Sequence, residues 1–277
     1  MIKKIEKLLK ILKTFKNPLT VLGFFLTQKK IDHPFLVFPK KGNPFKIGRF
    51  SDKWLIKKIL NGEKVTIENG QIIENSFFLR EGTSDTFIYK EIFLDQCYKE
   101  CLQKIDKDSI VIDVGSYIGL FSCYVSPHCK KIYAYEPVKE NYSQGLKNTT
   151  GKNIELLNKA VWSSNEEKKC DINGNTLNFG QGLETIQTIN LEKIFAENNI
   201  PQCDLLKIDV EGCEYEILFS TPLDIFKKIK SIIMEYHPDL MKKNTTQDLV
   251  NFLEKNDYNV VTKPSFDQIG LLMADKK

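Results

Sequence analysis

From Lys107 onward the chain alternates short apolar runs with amphipathic stretches. Runs of strand length cover 109–114, 131–136, 154–161, 204–209 and 231–237. Helical spacing fits 118–125, 140–149, 191–199, 213–219 and 246–256. Near-continuous apolar strands separated by helices predict an α/β fold with a mostly parallel sheet covered on both faces. Two further strands, 259–263 and 268–274, flank the short turn 264–267. A connection that short makes them antiparallel.

The pattern ahead of Lys107 is different. Ile2, Ile5, Leu8, Leu9, Leu12 and Phe15 recur at helical spacing among lysines, and Pro18 ends or bends that helix. Two readings are open: a helix lying on an anionic membrane surface, or one packed on its own domain or on a second subunit. The uncharged run 17–28 is twelve residues long, short of the roughly 20 needed to span a bilayer. It exits into Thr27-Gln28-Lys29-Lys30 without a small-residue cleavage site, so secretion is not expected. Pro34, Pro39, Pro44, Gly42 and Gly48 mark irregular chain over 31–50. Asn69-Gly70 between alternating runs at 65–68 and 71–73 predicts a hairpin. Thr83 or Ser84 caps a predicted helix running to about Ile105, with Ile88, Ile92 and Leu102 inward. The expected organisation is a basic segment at 1–30, a strand-and-helix extension at 31–106, and a main domain at 107–277.

Charge sharpens this division. The 277 residues carry a net +4. Lys3, Lys4, Lys7, Lys10, Lys13 and Lys16 against Glu6 give 1–16 a local +5, which leaves −1 for all the rest. The basic balance thus reports one segment and does not imply a nucleic-acid-binding domain. The apolar fraction of 42% and charged fraction of 27% are those of a globular chain with a sizeable core. Seven cysteines without a C-x-x-C pair read as buried free thiols in a reducing compartment. The expected location is cytoplasmic, at the membrane surface if the basic helix binds there. With only His33, His128 and His237 available, a structural zinc site is not expected.

The candidate chemistry begins where the first main-domain strand ends, at Ile112-Asp113-Val114-Gly115-Ser116-Tyr117-Ile118-Gly119. A glycine turn between a buried strand and a helix lets a ligand approach the backbone at the carboxyl edge of a sheet. Glu136 ends the second strand, 21 residues after Gly115, where a carboxylate can accept from both ribose hydroxyls. Dinucleotide loops want G-x-G-x-x-G. With the first glycine at 115, Tyr117 and Leu120 occupy the other two places; with the second at 115, Asp113 and Ile118 do. A loop crowded by Tyr117, with Asp113 beside it, suits a cofactor that has a ribose, positive charge and no phosphates. S-adenosylmethionine meets that description. The fourth strand ends Lys207-Ile208-Asp209-Val210-Glu211-Gly212 and the fifth Glu235-Tyr236-His237, which adds carboxylates and an imidazole to the same edge.

These stretches resemble the FkbM family of S-adenosylmethionine-dependent methyltransferases. The resemblance runs from about Thr83 to His237. It rests on Val111–Gly119, Tyr135-Glu136-Pro137 with Asn141-Tyr142 and Leu146, Asn158-Lys159-Ala160-Val161, Thr188-Ile189-Asn190-Leu191, and Leu206–Gly212 with Glu235 and His237. One departure is Asn190-Leu191-Glu192, where the family pattern has Leu-Asp. The resemblance implies a Rossmann-like class I methyltransferase sheet with an antiparallel C-terminal strand. It further implies cofactor contacts at Asp113, Gly115, Ser116, Tyr117, Gly119, Glu136, Pro137, Asn158 and Ala160. Family members similar to this chain methylate hydroxyl oxygens, often on sugars, glycans or polyketide-type metabolites.

Methyl transfer from a sulfonium is an in-line displacement, and a sugar hydroxyl is a weak nucleophile. The expected arrangement puts Asp209 near the methyl, His237 as neutral proton acceptor, and Glu235 or Glu211 orienting it. A Mg²⁺ held by Asp209 and Glu235 is the alternative. Lys207 is expected to pair with a carboxylate. The rival readings are a nucleotide-dependent oxidoreductase and a non-catalytic membrane or partner adaptor.

Overall fold

A computed structural model describes residues 2–26, 35–41, 43–47, 52–173, 176–179, 182–241, 243–266 and 268–277. The predicted exit at Thr27–Lys30, and His33, Pro34, Gly42, Gly48 and Asp267, lie outside the described residues. The chain forms two compact units, Met1–Gln96 and Cys97–Lys277.

In the first unit α1 (Ile2–Thr14) and α2 (Pro18–Leu26) follow one another, and Pro18 is the first residue of the second helix. Proline is favoured there because its missing N–H would have had no partner. Ile11, Phe15, Val21 and Phe24 are buried, whereas Leu9, Leu12 and Leu19 are 49%, 42% and 77% exposed. The basic helix therefore packs on its own unit through one part of its apolar stripe and leaves another part outside. β1 (Phe35–Val37) and β2 (Phe45–Ile47) pair antiparallel, α3 (Lys53–Leu60) follows, and the hairpin predicted at Asn69-Gly70 is present. β3 (Thr66–Glu68) and β4 (Gln71–Glu74) flank two residues at positive φ, the mark of a tight primed turn. A third strand, β5 (Phe77–Arg80), extends it. Fully buried Asp85 then receives the Arg80 guanidinium through two bonds of 2.9 Å and the Arg80 backbone N–H at 2.8 Å. This starts α4 (Asp85–Tyr89).

The helix predicted from Thr83 to about Ile105 is broken. After α4 the turn widens over Lys90–Leu94, Gln96 adopts φ +55°, and a short 3-10 turn covers Lys99–Gln103. A left-handed residue cannot continue an α-helix. The buried thiols also need one correction: among the described residues no cysteine forms a disulfide, but Cys97 is exposed.

The second unit is built on a seven-stranded sheet. β6 (Ile110–Val114), β7 (Lys131–Tyr135), β8 (Ile154–Leu157), β13 (Cys203–Ile208) and β14 (Ile229–Tyr236) are parallel. β16 (Ile269–Lys276) runs antiparallel to β14, and β15 (Tyr258–Phe266) pairs antiparallel with β16 at the edge. The order is β15-β16-β14-β13-β6-β7-β8. This is the Rossmann-like α/β sheet with antiparallel C-terminal strands that the pattern predicted. Successive strands step outward from β6 in one direction, then resume at β13 on its other side. The carboxyl ends of β6 and β13 thus border the switch point, where open α/β sheets bind ligands.

The run at 154–161 does not form one strand. After β8 the chain turns at Asn158 and Lys159, and β9 (Ala160–Val161) leaves the main sheet. It pairs in parallel with β12 (Glu184–Ile189). With β10 (Glu167–Asn173) and β11 (Thr176–Phe179) these strands form a second sheet that hydropathy alone did not reveal. Its small core is Ala160, Cys170 and Ile186.

Candidate functional site

The loop after β6 is held by backbone. The N–H groups of Gly115 and Ser116 both donate to the carbonyl of Tyr135, at 3.0 and 2.9 Å. Gly115 sits at φ +75°, and a Cβ there would lie 1.9 Å from the Asp209 carbonyl oxygen. Gly119, at φ +77°, precedes α5 (Leu120–Val125), and its Cβ would lie 2.7 Å from the side chain of Thr149, the last residue of α6 (Lys139–Thr149). Both glycines are thus required by positive φ and by neighbouring protein atoms. That reason differs from the ligand approach expected from sequence. Tyr117 is also at positive φ, and its N–H donates to Glu136 Oε2 at 2.9 Å.

Glu136 lies where its spacing from Gly115 predicted, at the end of β7. It is 5% exposed, and Oε1 accepts from the Val138 N–H at 2.9 Å and from the Asn141 amide at 3.3 Å. Burial raises its pKa to about 7, although the Val138 and Tyr117 N–H groups, Asn141 and Lys207 oppose that rise. Pro137 follows, partly exposed, and the Asn158 amide donates to the carbonyls of both Glu136 and Pro137 at 2.9 Å. Asn158 therefore clamps this loop. The Ala160 side chain packs in the small core of the second sheet.

Asp113 does not stand open beside the loop. It is 0% exposed; Oδ2 accepts from the Ser122 hydroxyl at 2.6 Å, and Oδ1 lies 3.3 Å from the Lys207 ammonium. Its charge is matched from behind, so it braces the loop from within. Ser116 Oγ is buried and has no hydrogen-bond partner among the described residues. Lys207 donates to the Gly115 carbonyl at 2.7 Å and lies 3.7 Å from Asp209, so it is the carboxylate partner that was expected. Burial pulls its pKa down, but Asp113 and Asp209 outweigh that and hold it above the ordinary lysine value.

Asp209, Glu235 and His237 converge beside this loop. One ligand-capable atom from each lies within 4.8 Å of the others. The parallel register of β13 and β14 brings their carboxyl ends together. Glu211, at φ +55°, places an oxygen 3.7 Å from His237 Nε2. The four residues assigned to chemistry from sequence are therefore assembled.

Two members of the site carried no sequence signal. Glu214, fully buried in the first turn of α8 (Glu214–Ser220), holds His237 Nδ1 at 2.8 Å. Burial lowers the His237 pKa, but the Glu214 bond and charge, with Asp209 and Glu211, outweigh it and raise the value to about 9. These carboxylates therefore favour the protonated ring over the neutral acceptor expected from its reference pKa. Tyr98 is the second. Burial lifts the pKa of its phenol well above the ordinary value, and Asp209, Cys97, Glu235 and Asp113 add to the rise.

The methyltransferase FkbM domain profile matches residues 113–260, more than half of the chain. This chain belongs to the FkbM methyltransferase domain family. Among curated relatives, the FkbM chain is 27% identical over 153 residues to hexuronic acid methyltransferase AglP of Haloferax volcanii. That match covers 53% of this chain and 63% of the relative, less than two thirds of its length. Methyltransferase sdnD of Sordaria araneosa is 25% identical over 194 residues, covering 54% of this chain and 73% of that one. A crystal structure of methyltransferase FkbM from Methylobacillus flagellatus KT superposes with a TM-score of 0.44 at 15% identity, over 69% of this chain and 54% of that chain. The departure at Asn190 has a local reason. Asn190 caps α7 (Leu191–Glu197), its side chain accepting from the Lys193 N–H at 2.8 Å.

Proposed function

We propose that this FkbM chain transfers the methyl group of S-adenosylmethionine to a hydroxyl oxygen of a sugar, glycan or related small metabolite. The observation that carries the reading is the Asp209–Glu235–His237 cluster at the switch point, next to a loop that Glu136 closes. Similarity to a hexuronic acid methyltransferase supports a sugar acceptor.

In this reading Glu136 accepts from the ribose hydroxyls, and Tyr117 and Ser116 shape the wall around the cofactor. Asn158 supports that wall by clamping the Glu136–Pro137 loop. The acceptor oxygen sits over Asp209 and His237, in line with the methyl carbon and sulfur. As the O–C bond forms the C–S bond breaks, and the electron pair stays on sulfur, which becomes a neutral thioether. The hydroxyl proton leaves to Glu211, half exposed at the rim and close to His237. Holding the three atoms in line contributes up to about 7–11 kcal/mol.

The test is an acceptor screen with labelled S-adenosylmethionine over hexuronic acids, neutral sugars, nucleotide sugars and glycolipids. Asp209→Asn should lower transfer at least about 100-fold while S-adenosylhomocysteine still raises the melting temperature. If the chain does not bind S-adenosylhomocysteine at all, the non-catalytic reading replaces this one.

The proposal includes a surface partner for the first unit. Leu9, Leu12 and Leu19 are exposed beside Lys10 and Lys13, the composition of a peripheral contact with an anionic membrane. Among the described residues no helix is long and apolar enough to cross a membrane. Vesicles rich in phosphatidylglycerol should pellet the chain, and less of it at high salt, because surface attraction is screened. The triple variant Leu9→Asp, Leu12→Asp, Leu19→Asp should stay in solution. Equal pelleting of the two proteins would assign these leucines to another role.

A further inference from the structure

We infer that Asp209, Glu235 and His237 form a divalent-cation site that holds the acceptor oxygen. This rests on the methyl-transfer reading and goes further by naming what activates the hydroxyl and which acceptors suit it.

Three independent observations lead there. The first is the juxtaposition itself: an imidazole and two carboxylates from the ends of neighbouring strands, each offering a ligand atom within 4.8 Å of the others. Small rotamer adjustments bring such a set to the roughly 2.0–2.3 Å bond lengths of Mn²⁺ or Mg²⁺.

The second observation is how His237 is held. The residue is only 7% exposed, and Glu214, wholly buried, takes Nδ1 at 2.8 Å. Its other nitrogen, Nε2, has Glu211 at 3.7 Å, too long for a hydrogen bond. A carboxylate behind one ring nitrogen fixes the tautomer that leaves the other free to ligate, the relay found behind most metal-bound imidazoles. A bound cation takes the place of any proton on Nε2. A histidine that served only to fill space would not need a buried carboxylate to orient it.

The third observation is the donor set. Besides the imidazole the cluster offers only carboxylates, and Glu211 adds another oxygen 3.7 Å from Nε2. A single Mg²⁺ or Mn²⁺ matches such an oxygen-rich set better than a soft metal.

Three protein ligands leave open positions for substrate. Two adjacent oxygens of one sugar, as in a vicinal diol or a hydroxyl beside a carboxylate, fill them as a chelate. The cation then lowers the pKa of the hydroxyl that faces the methyl carbon. The site therefore selects acceptors with neighbouring oxygens over isolated alcohols.

The experiment uses the full chain, stripped with chelator and titrated with Mn²⁺, with free Mn²⁺ read by electron paramagnetic resonance. One Mn²⁺ should bind per chain in the micromolar range, and Mg²⁺ should displace it. Asp209→Asn and Glu235→Gln should each weaken binding by at least about tenfold, and Glu214→Gln by roughly 10–100-fold. Glu235→Gln is isosteric and only partly buried, so it keeps the test open if the Glu214 variant fails to fold. The S-adenosylhomocysteine thermal shift, measured on each variant, reports the fold and the cofactor site separately. Stoichiometric Mn²⁺ binding lost in these variants supports the site. Absence of binding below millimolar Mn²⁺, or binding that the substitutions leave unchanged, overturns it. If S-adenosylhomocysteine still binds in that case, the methyl-transfer reading stands without the metal.

Discussion

Glu136→Ala should abolish the rise in melting temperature that S-adenosylhomocysteine gives the unaltered chain. At about 100-fold its dissociation constant a ligand adds about 2.7 kcal/mol, so the lost effect is large. The structure shows why one side chain matters this much. Glu136 is buried at the end of β7 and accepts from the Tyr117 N–H, the Val138 N–H and the Asn141 amide. Alanine removes the brace of the loop and, in the proposed reading, the ribose acceptor as well. Each buried donor left unpaired costs about 1–3 kcal/mol, so circular dichroism must first confirm that the variant is folded. Glu136→Gln keeps the shape and separates the two effects.

The same residue carries a pH signature. Burial raises its pKa from 4.5 to about 7, with Lys207 the charged group that opposes the rise. Only the carboxylate accepts from both ribose hydroxyls, so cofactor affinity should increase as pH rises through about 7 and level off above. The folded state binds the extra proton between 4.5 and about 7. Without ligand, the contribution of Glu136 to stability therefore falls as pH rises through that window. Calorimetric titration with S-adenosylhomocysteine from acid to alkaline pH measures the first effect. A profile that is flat in the unaltered chain, or a Glu136→Ala protein with an undiminished thermal shift, removes Glu136 from the ribose role.

Lys207→Met should destabilise the second unit by about 3–5 kcal/mol, because it leaves a buried carboxylate without its counter-ion. Asp113 is fully buried, with Lys207 at 3.3 Å and Ser122 as its other partner. The ammonium also reaches the Gly115 carbonyl at 2.7 Å and thereby ties β13 to the glycine loop. Removing it strands the Asp113 charge and frees the loop together. The double variant Lys207→Met, Asp113→Leu should recover much of the loss, since a buried pair replaced by apolar groups is often near neutral. Guanidinium unfolding of the four proteins measures this. A single Lys207→Met that matches the unaltered chain within its error would show that the pair carries no structural weight.

Much of this architecture is legible in the chain. The parallel strands announce themselves because strands buried on both faces read as unbroken apolar runs, as at Ile110–Val114 and Cys203–Ile208. The hairpin at Asn69-Gly70 is legible because few residues tolerate positive φ at both turn positions. The spacing from Gly115 to Glu136 is likewise local, set by one strand, one helix and one strand. The second sheet is less visible. Its strands β10 and β12 carry charged and polar residues through their length, and β9 is two residues long. The predicted helix beyond Thr83 fails for a related reason, since nothing in local propensity marks Gln96 as the left-handed residue that stops it.

What the sequence determined by itself is the list of chemical groups and the strand ends on which they stand. Asp209, Glu211, Glu235 and His237 each follow or close a strand, and the parallel sheet sends those ends to one edge. The state of those groups is set by contacts made across the fold. Asp113 reads in sequence as an open carboxylate, yet Lys207, 94 positions along the chain, neutralises it in the interior. His237 reads as a neutral base, yet the bond and charge of Glu214, on a helix from the preceding crossover, raise its pKa and favour the protonated ring. Charge, tautomer and pKa depend on burial and on partners a few ångströms away, and those partners are brought near by the sheet, not by the chain.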